Sequence, residues 1–220
     1  MTERITIKSR IDGYDLLALH ARPHGEPVGG VVVIQEIFGL TDHIAELCDT
    51  FAAEGYAAIA PGLFDRFEKD FHAEHNEEGY AKARQAIMSG SWEQVASDVQ
   101  AAIDASPQPC YVTGFCYGGA VAWMAAARCT DLSAASCFYG RLIADLLDNQ
   151  PKVPVMLHYG ARDQGIPPEN VERVRLAAPT SPLYLYNAGH GFCRTGSHDF
   201  DQASRDLAIS RTLDWFARWR

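Results

Sequence analysis

The run Thr113-Gly114-Phe115-Cys116-Tyr117-Gly118-Gly119 constrains this chain more than any other stretch of its length. It follows the apolar segment Cys110-Tyr111-Val112 and precedes the helix-forming run from Ala120 to Ala127, so a strand hands over to a helix within it. A turn that tight forces strained backbone angles on its central residue, and side chains at Gly114, Gly118 or Gly119 would strike the adjoining strand and helix. The pattern is a nucleophile elbow with cysteine where serine is more usual. A glycine-containing turn around a packed structural cysteine has the same spelling, and the rest of the chain must choose between them.

Upstream, Ile5 to Lys8 and Tyr14 to His20 alternate around Ile11-Asp12-Gly13, which predicts an antiparallel hairpin. Val31-Val32-Val33-Ile34 is a β-branched run suited to a strand covered on both faces. Thr41 or Asp42 caps a helix through Phe51 that Gly55 stops, and Tyr56 to Ala60 is the next strand. Residues 63 to 90 break this rhythm with a polar, acidic excursion ending in a helix around Glu77 to Met88, and such an excursion builds a substrate wall. Ser91 caps a helix whose inner stripe is Val95, Val99 and Ile103.

Beyond the elbow, Ala134 to Gly140 and Val153 to Gly160 read as strands, and Pro167-Pro168 opens a helix through Leu176. Leu183 to Tyr186 is the last strand, and a helix from about Asp201 to Arg218 turns Leu207, Leu213 and Phe216 inward. Alternating elements with right-handed crossovers predict an α/β fold: one domain over residues 1–220, with a mostly parallel sheet of about eight strands and helices on both faces.

The bulk properties narrow the partners. A formal charge of -9 without any basic run argues against nucleic acid and against an anionic membrane surface. The start of the chain has no basic region followed by an apolar one, and no apolar run approaches the roughly 18 residues of a membrane span. A soluble, cytoplasmic protein is expected, as a monomer or small homo-oligomer. The six cysteines form no C-x-x-C pair or zinc-like spacing, and five read as buried free thiols. His72-Ala73-Glu74-His75 lacks the second histidine spacing and third ligand of a metal site, so neither metal nor cofactor is expected. His158 reads as a packed histidine, and Trp215 and Trp219 as core or interface.

Three reactive residues each stand just past a strand: Cys116, Asp163 and His190. Their order, nucleophile, acid, histidine, is the order used by hydrolases built on such sheets. An imidazole can accept the thiol's proton, and a carboxylate can hold the imidazole in the required tautomer. Singly, each has a bland explanation as cap, loop histidine or packing cysteine. Their joint placement favours a catalytic triad.

With these residues in view, the chain resembles the dienelactone hydrolases (carboxymethylenebutenolidases) of the α/β-hydrolase superfamily. The resemblance runs from Ile11-Asp12-Gly13 to Arg211-Thr212-Leu213-Asp214-Trp215-Phe216. It is most specific at Gln35-Glu36-Ile37-Phe38-Gly39, at the elbow, at Phe138-Tyr139-Gly140 and at Ala188-Gly189-His190-Gly191-Phe192-Cys193-Arg194-Thr195. It implies a Cys116, His190, Asp163 triad, with Glu36 contacting the thiol and helping to deprotonate it when substrate arrives. It also implies an oxyanion hole from the Tyr117 and Ile37 backbone N–H groups, and a substrate wall that includes Arg194, Tyr80 and Tyr139.

The sequence departs from that family in one place. Where the family has a second arginine to grip a substrate carboxylate, this chain has Asn76, and Ala83 replaces a nearby tryptophan. Asparagine donates hydrogen bonds but brings no charge; Arg66 could supply a replacement, or could simply be solvated. The expectation is therefore a cysteine-dependent hydrolase opening a small lactone or ester through an acyl-enzyme, with substrate charge open. The alternatives are a thiol sensor or ligand-binding protein on a hydrolase scaffold, and a general carboxylesterase.

Overall fold

The computed structural model describes residues 2–220. Eight strands form one sheet: β1 (Glu3–Lys8), β2 (Asp15–Ala21), β3 (Gly30–Ile34), β4 (Ala57–Pro61), β5 (Cys110–Phe115), β6 (Ala134–Phe138), β7 (Val155–Gly160) and β8 (Leu183–Tyr186). Their spatial order is β1-β2-β4-β3-β5-β6-β7-β8, with β2 antiparallel to both neighbours and every pairing from β4 to β8 parallel. The hairpin is the one read from Asp12-Gly13: Gly13 takes φ +71, and Asp12 Oδ1 accepts from the Tyr14 N–H at 3.1 Å.

The central strands β3, β5, β6 and β7 are buried along their whole length, which their apolar, β-branched composition requires once helices cover both faces. The described helices are α1 (Asp42–Ala53), α2 (Glu77–Ser89), α3 (Trp92–Asp104), α4 (Tyr117–Arg128), α5 (Pro168–Ala177) and α6 (Gln202–Arg218), of which α1, α3, α4 and α6 pack on the sheet. Phe216 of α6 is fully buried, stacked on Tyr111 of β5 at 4.6 Å between ring centroids and tilted against Phe51 of α1. Such a ring contributes several kcal/mol, about 3–5 when it is lost from a core.

Two local expectations are corrected. Leu207 is 47% exposed, because the inner stripe of α6 runs through Ser204, Ala208, Thr212 and Trp215, a phase that turns Leu207 outward. Thr41 occupies the N-cap position of α1, but its side chain makes no capping bond. Ser91 behaves as expected, forming a reciprocal capping box with Gln94.

The excursion after β4 is pinned to the sheet by the buried Asp65 carboxylate, which accepts from the N–H groups of Leu17 (2.7 Å) and Asp70 (2.9 Å). Gly39 pairs with His72 in an isolated antiparallel bridge, so this segment lies across the loop that follows β3.

Candidate active site

Cys116 joins β5 to α4 with φ 56 and ψ -114, a conformation that costs a non-glycine residue about 1–3 kcal/mol. The surrounding structure holds it there: its N–H donates to the Phe138 carbonyl at 3.1 Å, and its carbonyl accepts from Gly119 at 3.0 Å. A methyl group on Gly114 would lie 1.9 Å from the Gly118 carbonyl oxygen, and one on Gly118 would lie 2.5 Å from the carbonyls of Ile34 and Gln35. The glycines around the cysteine are therefore a packing requirement of the elbow.

The loops after β7 and β8 bring Asp163 and His190 to the same place. They are laced by Ala161 N–H to the Tyr186 carbonyl at 2.7 Å and Arg162 N–H to the Ala188 carbonyl at 2.9 Å. Asp163 is buried; Oδ1 accepts from the Gly165 N–H at 2.8 Å and Oδ2 lies 2.6 Å from His190 Nδ1. An ionised carboxylate only accepts, so Nδ1 carries the hydrogen and Nε2 faces the Cys116 Sγ at 3.2 Å. Burial alone would disfavour a charged imidazole, but the hydrogen bonds to Asp163 and Cys116 outweigh it and push His190 up to about 10.

The two backbone donors expected for an oxyanion belong to the residue after Cys116 and to the loop after β3. Tyr117 is the first residue of α4, so its N–H has no acceptor within the helix, and its ring packs on Trp92 and Phe64. Ile37 lies in the loop after β3, beside the carbonyls of Ile34 and Gln35 that touch Gly118. Gln35 braces this loop, accepting from the Leu63 N–H at 3.1 Å and donating to the Glu36 carbonyl at 3.3 Å.

Glu36 is only 3% exposed, and its partner is Arg194; the contact with the thiol that the resemblance implies is one made when substrate arrives. Arg194 Nη1 donates to Glu36 Oε2 at 2.9 Å, whereas Oε1 is buried without a hydrogen bond. The thiol instead faces His190. A guanidinium offers a buried carboxylate far more than a thiol can, which explains the choice. Arg194 also donates to the Ser197 hydroxyl at 3.4 Å and lies 5.3 Å from the Phe38 ring centroid.

Three wall residues sit elsewhere than expected. Arg66 is bound by Asp12 and Asp98, two donors to each, and stacks on Tyr14, so its charge is spent. Asn76 caps α2, accepting from the Gly79 N–H at 2.8 Å. Tyr139 is fully buried with φ 36 and packs edge-on against His190, so it backs the imidazole instead of facing a substrate. Tyr80 is 41% exposed and meets Phe38 edge-on.

Two histidines near the site carried no functional expectation. His75 is exposed and packs on the Phe38 ring at 3.8 Å between centroids, while His72 turns to Glu74 at 3.4 Å, so the two histidines of the short motif diverge. His43 is buried on the inner face of α1 against Phe115, with neither ring nitrogen hydrogen-bonded; burial foremost pushes it down to about 4. Its place on the apolar stripe with Ile44, Leu47 and Phe51 was the available signal.

Comparison with known proteins places this geometry in context. Residues 16–219 match the profile of the Dienelactone hydrolase family. A relative from Salmonella typhimurium, named provisionally as a carboxymethylenebutenolidase, is 34% identical over 94% of this chain and 84% of its own length. The carboxymethylenebutenolidase of Pseudomonas putida is 30% identical over 99% of this chain and 97% of its own. The crystal structure of a provisionally named dienelactone hydrolase from Klebsiella pneumoniae superposes with a TM-score of 0.87 at 29% identity, covering 100% of this chain and 99% of that one.

Proposed function

Since the chain belongs to the dienelactone hydrolase family and is a carboxylic ester hydrolase, we propose that it opens a small lactone or ester by covalent catalysis at Cys116. The observation that carries this reading is the contiguous alignment of Asp163, His190 and Cys116, at 2.6 and 3.2 Å. In the first half-reaction His190, raised to about 10, already holds at Nε2 the proton taken from Cys116, and the sulfur attacks the carbonyl carbon. The N–H groups of Tyr117 and Ile37 stabilise the negative oxygen. The carbonyl re-forms as the C–O bond breaks, and the leaving oxygen takes the electron pair and then the proton from His190. In the second half-reaction water gives a proton to His190 and attacks the thioester, and the freed acid leaves as the thiol is restored.

The nucleophile limits the substrate. Thiolate is itself a good leaving group, so an ordinary alkoxide would lose the competition and the intermediate would revert. An enol lactone or aryl ester, whose leaving oxygen carries a delocalised charge, avoids this. A substrate carboxylate, where present, would compete with Glu36 for Arg194. No helix among the described residues is long and apolar enough to cross a membrane, and all six cysteines are free. The acidic charge, without a basic run, favours small molecules over nucleic acid as the partners of this site.

The test is trapping. Mass spectrometry of the enzyme quenched during turnover of an enol lactone should find the acyl group on the peptide carrying Cys116. Undiminished lactone hydrolysis by Cys116→Ala would overturn the mechanism.

A further inference from the structure

Phe38, two residues beyond Glu36, is a buried ring on which three side chains converge: the His75 imidazole at 3.8 Å, the Tyr80 ring at 5.3 Å and the Arg194 guanidinium at 5.3 Å. Backbone contacts hold His75 in register there, because the Ala73 N–H donates to the Phe38 carbonyl at 3.1 Å and Gly39 bridges to His72. The same Arg194 is paired with the buried Glu36 carboxylate, so the pair is neutral before any ligand enters. A substrate carboxylate reaching Arg194 would set two anions around one guanidinium in a poorly solvated corner, an excess negative charge that the fold must offset. Arg66, the other arginine expected in this wall, is committed to Asp12 and Asp98.

Resting on the hydrolase reading above, we propose that His75 is the charge-selecting residue of this site. It takes up one proton from solvent when a substrate carboxylate reaches Arg194, and releases it when the product leaves. The groups that bear on His75 are Glu36 and Glu74, which favour its protonation, and Arg194 and His72, which oppose it, with Tyr80 across the shared ring. In the free protein, burial and then Arg194 hold the imidazole below its ordinary value, so it is neutral at neutral pH and rests against Phe38 as an uncharged ring. An anion on Arg194 takes the neutral Glu36–Arg194 pair to one net negative charge, which favours the imidazolium. Affinity for anionic substrates therefore rises as pH falls, by at most about tenfold per pH unit for one linked proton.

The experiment compares two enol esters identical except that one carries a carboxylate and the other its methyl ester, between about pH 5.5 and 8, the range in which histidine titrates. In the wild type the ratio of anionic to neutral KM should become smaller as the pH is lowered. In His75→Gln and His75→Phe, the latter keeping an aromatic ring on Phe38, the ratio should be flat. A merely structural role for His75 would shift both substrates alike and leave the slope in place, and that result would overturn the proposal. Calorimetry of succinate binding in buffers of different ionisation enthalpy gives a readout independent of turnover. One proton taken up per succinate by the wild type and none by His75→Gln supports the proposal; no uptake, or no binding, overturns it. Failure of the hydrolase reading would show separately, as lactone turnover that survives Cys116→Ala.

Discussion

Arg194 donates to the buried Glu36 carboxylate across 2.9 Å, so the guanidinium that follows His190 in the chain is already partnered by an anion from the loop that also carries Ile37. Any anion that reached Arg194 would consequently be coupled to the position of that loop through one ion pair.

Breaking the pair from one side should cost more than removing it. Arg194→Met leaves a buried carboxylate without its cation, a change that typically destabilises by about 3–5 kcal/mol. Adding Glu36→Gln should recover a substantial part of that loss. Urea midpoints for the two single variants and the double variant measure the coupling; additive losses would show that the ion pair contributes nothing of its own.

His190 gives the fold a pH signature. Its value in the folded protein is raised from 6.5 to about 10, so the stabilisation from its charged form is fully present below 6.5 and is lost as pH rises through 10. Chemical denaturation at several pH values across that window should show the wild type weakening, and a clearly smaller change in His190→Gln.

The elbow has no room for a methyl group. Gly114→Ala would place a Cβ 1.9 Å from the Gly118 carbonyl, so the backbone must shift and both folding yield and turnover should collapse. Gly13→Ala meets no neighbouring atom and pays only for its φ of +71, about 1–2 kcal/mol, with kcat retained. Thermal melts and ester turnover on the two variants separate crowding from strain.

Phe216 tests the core remote from the chemistry. Phe216→Ala removes a fully buried ring stacked on Tyr111 and should lower stability by about 3–5 kcal/mol while leaving KM close to its original value in the folded fraction. A loss below about 1 kcal/mol would mean that α6 and β5 close over the gap.

Much of the framework was legible because local chemistry and global fold agree. The β-branched Val31 to Ile34 became a strand buried throughout, the Asp12-Gly13 turn made the hairpin, and the glycines around Cys116 proved to be contacts between backbones. The residues Asp163, His190 and Cys116 were found from their order and their places past strand ends, and the structure brings them within hydrogen-bonding reach. The wall was not legible. Whether Arg66 faces a ligand or two aspartates depends on Asp12 and Asp98, which are far from it in sequence, and no spacing rule reports such a pairing. Asn76 was read as a lost charge when its immediate task is to cap α2, and His75 beside it drew notice only as a metal ligand. Leu207 failed for a simpler reason: a helix only a few turns long can be phased by its small residues as readily as by its large ones.

The close approach of Gly118 to the carbonyls of Ile34 and Gln35 has a consequence for how such a molecule can change over time. This approach is main chain resting on main chain, so the fit of the loop after β3 against the turn at Cys116 is indifferent to almost any side-chain replacement nearby. The excursion between β4 and α3, by contrast, adds to its two backbone contacts with the loop after β3 the side chains of His75 and Tyr80, which meet Phe38. Side-chain replacements there leave the main-chain contacts of Gly118 in place, so this face of the molecule is free to vary while the turn at Cys116 keeps its shape.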